Sequence, residues 1–300
     1  MIRRLSFSII FSLLSATGLT AMEPSVLESQ ALTVLYDGDL GQGARYAQRM
    51  YAVSKQELQT LFQWPVSFRP TLVLINDHHQ FRQMAGHPLV VAYARPSEKV
   101  MVIDHTRMTT KPFNLQATIK HELCHLILHH HITGDRLPRW LDEGVCQWAS
   151  DGLADIILDT RRELLPAAIL SGRYFDLANL KHGFPRDKNG LILAYEQSKS
   201  IVEYISRTYG QQGVLDLLEL LRQGNKLEFA VEKRFAITLD HLEADWREHL
   251  KKNINWFTYL SIHLYEILFV SAALLTILAY IRRVLRKKAY ADQTEGSDEL

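Results

Sequence analysis

The sequence has 300 residues, a formal net charge of +1 at pH 7 and a hydrophobic content of 47%. Because the net charge is near zero and no basic stripe occurs outside a cluster near the C-terminus, the sequence does not support a nucleic-acid partner. It contains no internal repeats or low-complexity segments. Its central part, residues 23–253, is long enough for one domain or for two lobes in close contact.

The N-terminus has the pattern of a secretory signal peptide. Residues 1–4 carry two arginines, residues 5–16 are apolar with interspersed serines, and small residues follow at Gly18 and Ala21. An apolar segment of this length is too short to be a convincing membrane span. We therefore predict a signal peptide over residues 1–22, cut after Gly18 or Ala21. An uncleaved anchor is the alternative, and either one would export the central part of the chain.

The first part of the exported region alternates between strand and helix patterns. Short apolar or alternating runs predict strands, and the turn residues at 95–98 join the last two strands as a hairpin. Apolar residues at helical spacing predict the helices between them. The predicted strands cover residues 31–36, Thr71–Ile75, 89–93 and 99–103, and the predicted helices cover residues 44–62 and His78–Ala85. We expect a small α/β lobe over residues 23–113.

The next segment carries a His-Glu-x-x-His motif at His121, Glu122 and His125. Its flanks, within residues 115–128, are apolar and free of glycine and proline, which predicts a buried helix. On a helix the two histidines lie one turn apart on one face, where they can share a metal ion. Burying this cluster without a cation would carry a large desolvation cost. Glu122 projects to the side of the metal, where it can deprotonate a metal-bound water.

Two residues compete for the place of a third ligand. His131 has the spacing found in metzincins, but Leu128 stands where that pattern has a glycine. With Leu128 the helix continues, which leaves His131 about 9 Å further along the helix axis, so the metzincin pattern fails. Glu143 lies in the segment Leu-Pro-Arg-Trp-Leu-Asp-Glu-Gly, where Pro138 suits the first turn of a second helix. Glu143 is therefore the better candidate.

The two motifs, in this order and spacing, resemble those of the gluzincin metallopeptidases, in particular the peptidase MA-like families. The resemblance covers roughly residues 31–250. It implies one zinc ion (Zn²⁺) per chain, with His121, His125 and Glu143 as ligands and Glu122 as the general base. It also implies a zincin-like α+β fold.

In such a fold the metal-site helices, residues 114–150, lie between the α/β lobe and a mainly helical lobe over residues 151–253. The helical patterns that come after Glu143 agree with this organisation. The predicted helices cover residues 151–170, 195–209, 214–222, Leu227–Phe235 and 240–252. The loop over residues 181–189 is expected to reach over the cleft.

Several residues near the motifs have roles that the sequence leaves open. The oxyanion formed in peptide hydrolysis needs a donor. Tyr195 is the first candidate, and His182 and Tyr174 are others, each with ordinary packing as the alternative. In gluzincins an edge strand pairs with the substrate backbone, and residues 100–103 are expected to form either that edge or an interior strand. Asp142 belongs either beside the metal ligands or on the surface.

The two cysteines lie close to the predicted ligands. Cys124 is inside the His-Glu-x-x-His motif, and Cys146 comes three residues after Glu143. Two helices that meet at one metal would bring the cysteines together, and an exported chain permits a disulfide. Buried free thiols are the alternative. His129 and His130 are expected to be solvated at the end of the metal helix.

An apolar segment over residues 257–281 has only two ionisable side chains, His263 and Glu266. At about 1.5 Å per residue it reaches about 37 Å, enough to cross a hydrocarbon core of about 30 Å with some tilt. The basic residues after it place the tail, residues 282–300, in the cytoplasm and the body of the protein outside, in the periplasm or at the cell exterior. We predict a single-pass membrane protein with a C-terminal transmembrane helix.

Together these features predict a membrane-anchored, extracytoplasmic zinc metallopeptidase that hydrolyses peptide or protein substrates through zinc-activated water and Glu122. A metalloendopeptidase is favoured over an aminopeptidase, because the chain lacks the Gly-Ala-Met-Glu-Asn type of motif that anchors a substrate amine. The alternative is a catalytically silent zinc-binding interaction module at the membrane. The intact Glu122 argues against that alternative.

Overall fold

In the computed structural model of the chain, the described residues are 24–110, 113–150, 164–253 and 263–295. The predicted signal peptide, residues 1–22, lies outside them, as do most of the predicted helix over residues 151–170 and the start of the predicted membrane span. The described part is a mixed α+β structure with one small sheet, helices packed against it and a long apolar helix at the C-terminal end.

The sheet belongs to the N-terminal part of the chain. Its strands are β1 (Ser25–Glu28), β2 (Thr33–Tyr36), β3 (Thr71–Ile75), β4 (Ala92–Arg95) and β5 (Val100–Asp104). They lie in the order β1-β2-β3-β5-β4. The three inner strands are parallel, and β1 and β4 pair with them in antiparallel fashion at the two edges. Side chains of β3 pack into apolar clusters on both faces of the sheet, as its continuous apolar run predicts.

The strand after the hairpin turn is an interior strand, so the edge alternative for residues 100–103 is wrong. β5 lies between β3 and β4 and is buried along its whole length. The edge on this side of the sheet is β4, which is only partly buried. The difference comes from composition: β5 reads Val-Met-Val-Ile-Asp and is apolar on both faces, whereas β4 reads Ala-Tyr-Ala-Arg.

The central helix of the protein carries the His-Glu-x-x-His motif. After α1 (Gly41–Phe62) and α2 (His78–Ala85), it is α3 (Leu115–His131), which packs against α1, β4 and β5. Its side chains are buried over most of the stretch from its start to Leu128, which confirms the prediction of a buried helix. The helix continues past Leu128, and His131 at its end donates a hydrogen bond to the carbonyl oxygen of Pro65 at 3.0 Å.

The rest of the domain is helical, with α4 packed between α3 and α6. The helices are α4 (Arg139–Ala149), α5 (Leu164–Ser171), α6 (Lys188–Tyr209), α7 (Gln211–Arg222), α8 (Leu227–Phe235) and α9 (Leu239–Asn253). One apolar cluster runs from Leu32 in the sheet region to Trp246 in α9. The α/β part and the helical part therefore share a continuous core that surrounds α3 and α4.

The last helix, α10 (Leu264–Glu295), contains an apolar stretch over Leu264–Val284, 21 residues with a mean hydropathy of 2.1. By length and composition this stretch can cross a membrane. None of its most apolar part is buried in the protein, which distinguishes it from a core helix. The helix overlaps the predicted span over residues 257–281.

Candidate metal centre

The three side chains that the sequence predicts as metal ligands meet between α3 and α4. His121 and His125 lie one turn apart on α3, and their Nε2 atoms are 2.9 Å apart. Each Nε2 atom lies 3.5 Å from Oε2 of Glu143 on α4. All three side chains are buried. The donor atoms therefore form a small, water-poor triangle of the composition that zinc prefers.

The chemistry of this triangle fits a cation. The Oε2 atom of Glu143 is buried and accepts no hydrogen bond within the described part of the chain. Ligand atoms about 2.0–2.1 Å from a tetrahedral zinc lie about 3.4 Å apart, close to the two imidazole–carboxylate distances. The imidazole nitrogens are closer, and they would separate by about 0.5 Å around an ion. Burial raises the pKa of Glu143, but Arg139 and His125 together hold it well below its usual range.

Hydrogen bonds on the outer side of each imidazole turn its Nε2 atom toward the triangle. Nδ1 of His125 lies 2.8 Å from Oδ1 of Asp142, so Nδ1–H donates and Nε2 keeps its lone pair. Nδ1 of His121 lies 3.4 Å from the hydroxyl of Ser150, which itself donates to the carbonyl oxygen of Cys146 at 2.7 Å. Two lone pairs and a carboxylate facing one another repel unless a cation lies among them.

Asp142 is buried beside the ligands, which decides between the two positions that the sequence left open. Its second oxygen accepts a hydrogen bond from Nε2 of His129 at 3.0 Å. Burial raises the pKa of Asp142, but His125 and His129 overcome that effect and lower it. Burial likewise lowers the pKa of His125, yet Asp142 and Glu143 raise it well above its usual range. The two carboxylates thus favour positive charge beside His125, and a cation bound at Nε2 would supply it without a second proton on the ring.

The other oxygen of Glu143 is held by two side chains. Oε1 lies 2.5 Å from the guanidinium of Arg139, one turn earlier on α4, and accepts a hydrogen bond from the hydroxyl of Tyr195 at 3.2 Å. Because Oε1 is engaged, only Oε2 faces the imidazoles. The arrangement favours ligation through one carboxylate oxygen, which keeps a coordination position open for water or substrate.

A cleft of about 390 Å³ opens onto this centre. Its walls include edge strand β4 and the hairpin turn on one side and residues from α3, α4 and α6 on the other. Glu122 lines the cleft and is only 2% exposed, and Tyr195 forms part of its wall. His125 and Glu143 also line the cleft, and His121 is fully buried. The predicted site residues therefore come together at one place.

Two of the three oxyanion candidates, Tyr174 and His182, lie away from the cleft. The guanidinium carbon of Arg247 lies over the ring of Tyr174, 4.5 Å from the ring centre. His182 is exposed. Neither is among the described residues that line the cleft. His129 reaches the cleft, whereas the ring of His130 packs against Phe68 with the ring centres 4.9 Å apart. Tyr195 is thus the cleft residue among the three oxyanion candidates.

The two cysteines form a disulfide that joins the two helices that carry the predicted ligands. Cys124 of α3 and Cys146 of α4 have Cα atoms 5.4 Å apart, and both side chains are fully buried. The sulfur of Cys146 lies 3.5 Å from Nδ1 of His125. The disulfide alternative is confirmed, and the bond lies directly behind one of the candidate ligands.

Sequence reasoning missed the position of Arg139. It is the residue between Pro138 and Trp140 in the second motif, and it stands four residues before Glu143. On a helix that spacing places the two side chains on the same face, so the ion pair was visible in the sequence. The role of this ion pair in the site was not visible, because exposed pairs at this spacing are common and contribute little. Burial of Glu143 is what makes this pair a part of the site.

One comparison with known proteins gives a match. A family model described as the peptidase MA superfamily matches residues 92–252. The match begins at the first residue of β4 and includes α3, α4 and α6. No curated protein matches the chain.

Proposed function

Because the chain belongs to the peptidase MA superfamily, the gluzincin clan, we propose that it is a membrane-anchored zinc metallopeptidase. The observation that carries this proposal is the buried triangle of His121, His125 and Glu143, in which Oε2 accepts no hydrogen bond from the described residues and faces two imidazole nitrogens. A site of this kind costs free energy unless a cation binds in it. We propose one zinc ion per chain.

When bound, zinc would supply Lewis acidity to the scissile carbonyl and lower the pKa of a water molecule. Glu122 then takes a proton from the attacking water and delivers it to the leaving amide nitrogen. Its position supports this role, because its buried carboxylate lines the cleft beside His125 without belonging to the donor triangle. Arg139 keeps Glu143 ionised and holds its Oε1 atom, which leaves Oε2 to face the imidazoles.

Tyr195 is the residue that we propose as donor to the oxyanion. Its hydroxyl carries a single proton, which is given to Oε1 of Glu143 at 3.2 Å. To serve an oxyanion, the hydroxyl must turn from Glu143 toward the substrate oxygen. The ring packs edge-on against Phe184, with ring centres 5.0 Å apart, and this contact limits how far Tyr195 can move.

The substrate that suits this cleft is an extended stretch of polypeptide. β4 is an edge strand, so one side of its backbone has no partner strand in the described sheet. Such an edge accepts an extended peptide as an additional strand. Ala92 and Ala94 of β4 also line the cleft, and their small side chains leave room for a chain beside them. Pairing along a strand supports cleavage within a chain, so we propose an endopeptidase.

We propose a zincin-like arrangement in which the sheet lobe and the helical lobe flank the metal-site helices. The domains are a signal peptide (1–22), a peptidase domain (23–253) with parts 23–113, 114–150 and 151–253, a transmembrane helix (257–281) and a basic tail (282–300). The peptidase domain lies outside the cytoplasm and the tail inside, by the distribution of basic residues. The apolar stretch of α10 supports the anchor.

Replacing Glu122 with glutamine tests the proposal. Glu122→Gln should keep zinc at the wild-type level, since Glu122 is no ligand, and should lower hydrolysis by roughly 10²–10⁴-fold. The measurement is cleavage of an unfolded protein by the full chain in detergent, together with metal content. Glu232→Gln, an exposed exchange of the same kind on α8, is the matched control.

The outcome separates an enzyme from a binding module. A chelator should abolish the wild-type activity, and zinc should restore it. Equal cleavage by Glu122→Gln and wild type would assign the activity to another group or to a contaminant. Zinc-loaded wild type that cleaves nothing in a broad peptide library would favour the silent zinc-binding module.

A further inference from the structure

A second set of metal-ligating atoms overlaps the first. It consists of Nδ1 of His125, a carboxylate oxygen of Asp142 and the sulfur of Cys146, all within 4.8 Å of one another. All three side chains are buried. The two sets share His125, but they use opposite nitrogens of its ring.

The distances in this second set are near those of a zinc site. Nδ1 of His125 lies 3.5 Å from the Cys146 sulfur and 2.8 Å from Asp142. A nitrogen and a sulfur on one tetrahedral zinc are about 3.6 Å apart, and a nitrogen and an oxygen about 3.4 Å. The nitrogen and the sulfur already have nearly this spacing, and Asp142 would need to move about 0.6 Å away from Nδ1. The disulfide prevents ligation, because the Cys146 sulfur is covalently bonded to Cys124 and cannot act as a thiolate.

We propose that the Cys124–Cys146 disulfide confines the metal to the set of His121, His125 and Glu143, and that the reduced chain has a competing site at His125, Asp142 and Cys146. This inference rests on the proposed function for the first set. Its consequence is that oxidation of the cysteines before metal loading leaves the metal only the first set.

The competing site forms in two steps, reduction of the disulfide and then binding of the metal. A dithiol reductant breaks the sulfur–sulfur bond, gives it two electrons and two protons, and is itself oxidised to a disulfide. The metal then displaces the proton of the Cys146 thiol, which passes to solvent. It also displaces the proton on Nδ1 of His125, which can move to Nε2. A neutral His125 can therefore serve only one set at a time.

Burial of the cysteines determines when the disulfide can form. Both cysteine side chains are fully buried, so a reductant does not reach the disulfide in the folded domain. The two sulfurs must join while the helices can still open. A chain that folds before oxidation holds its thiols next to His125, where a metal can bind in the wrong set.

Cobalt(II) is a suitable probe, because a thiolate ligand gives it an intense near-ultraviolet charge-transfer absorption that nitrogen and oxygen ligands do not give. The test uses the full chain in detergent without oxygen. Cys124→Ala leaves the Cys146 thiol free and should show this absorption. Oxidised wild type and the control Cys124→Ala/Cys146→Ala should not show it.

A second variant tests whether the competing site is independent of the first. Loss of a residue that only hydrogen-bonds to a metal ligand weakens metal binding by roughly 10–100-fold. His121→Ala removes a proposed ligand itself, so in oxidised protein it should weaken cobalt binding by more than that. His121→Ala combined with Cys124→Ala should still bind cobalt with thiolate absorption. If Cys124→Ala does not fold, wild type that is refolded with a dithiol takes its place, and the dithiol is removed without oxygen before cobalt is added, since its own thiolates would bind the metal.

The two proposals fail in different ways. Oxidised wild type that takes up no cobalt would contradict the proposed function, and thiolate absorption in Cys124→Ala would still support the competing site. Folded Cys124→Ala that binds cobalt without thiolate absorption would overturn the competing site and leave the first set intact. Thiolate absorption in Cys124→Ala that disappears when Asp142→Ala is added would identify the whole set.

Discussion

Replacing Gly144 with alanine probes how closely α4 must approach α6 for Glu143 to reach the metal centre. A Cβ atom at Gly144 would lie 2.2 Å from the backbone oxygen of Ser198 and 2.8 Å from a methyl carbon of Val202, both on α6. Ordinary contact begins near 3.4 Å, so α6 would have to retreat by about 1.2 Å. Glu143 is the preceding residue, and any such shift displaces its carboxylate.

Two effects of opposite sign decide the stability of Gly144→Ala. Alanine is favoured over glycine inside a helix by about 0.5–1 kcal/mol. Overpacking of a close-packed core costs about 1–3 kcal/mol, and more when the new atom clashes with backbone atoms. Because the obstacle is the carbonyl group of Ser198 rather than a flexible side chain, we expect the upper part of that range. The net loss is then about 2 kcal/mol, which lowers Tm by about 4–8 °C for a domain of this size.

The assay is thermal unfolding of the zinc-free chain, so that lost metal binding does not enter the result, followed by zinc affinity at a temperature where both proteins are folded. Gly41→Ala is the matched control, because Gly41 is also helical and its nearest neighbours to a new Cβ lie at 3.9 Å. That control should keep or raise Tm. A Tm for Gly144→Ala equal to or above that of wild type would refute the packing argument.

Two further predictions concern the third ligand and the topology. Glu143→Gln should lower zinc content after dialysis much more than His131→Ala, because a carboxylate balances metal charge and His131 bonds to Pro65 instead; the reverse order would exclude Glu143 as ligand. A reporter that is active only in the cytoplasm should be active when it is fused after Leu300, and activity of an exterior-only reporter there would contradict the proposed orientation.

Local patterns were sufficient for the elements that carry the site. The apolar stretch around the His-Glu-x-x-His motif predicted α3, and the observed bounds of Thr71–Ile75 and Leu227–Phe235 equal the predicted ones. In these segments burial leaves either a continuous apolar run or an apolar face at regular spacing, and both can be read from the sequence. β1 was missed because Ser-Val-Leu-Glu is short and partly exposed, and it becomes a strand only through pairing with β2.

Contacts between distant segments could not be predicted in the same way. The order of β4 and β5 depends on which strand of the hairpin reaches β3. The sequence did not decide it, because residues 89–93, where the first strand was predicted, are about as apolar as β5. The hydrogen bond from Tyr195 to Glu143 joins residues 52 positions apart. The sequence suggested that Tyr195 contacts the substrate, and only the packing of α6 against α4 shows that its hydroxyl donates a hydrogen bond to the predicted ligand Glu143.

In the proposed pairing a substrate would bind to the backbone hydrogen-bonding groups of β4, and these groups do not distinguish one amino acid from another. A native protein keeps its own backbone groups engaged in helices and sheets, so it has no free strand to lay along four residues of edge. We expect the conformational state of a substrate, more than its amino-acid order, to decide whether it is cut. Chains that have lost or never reached their fold would be degraded, while their folded counterparts survive.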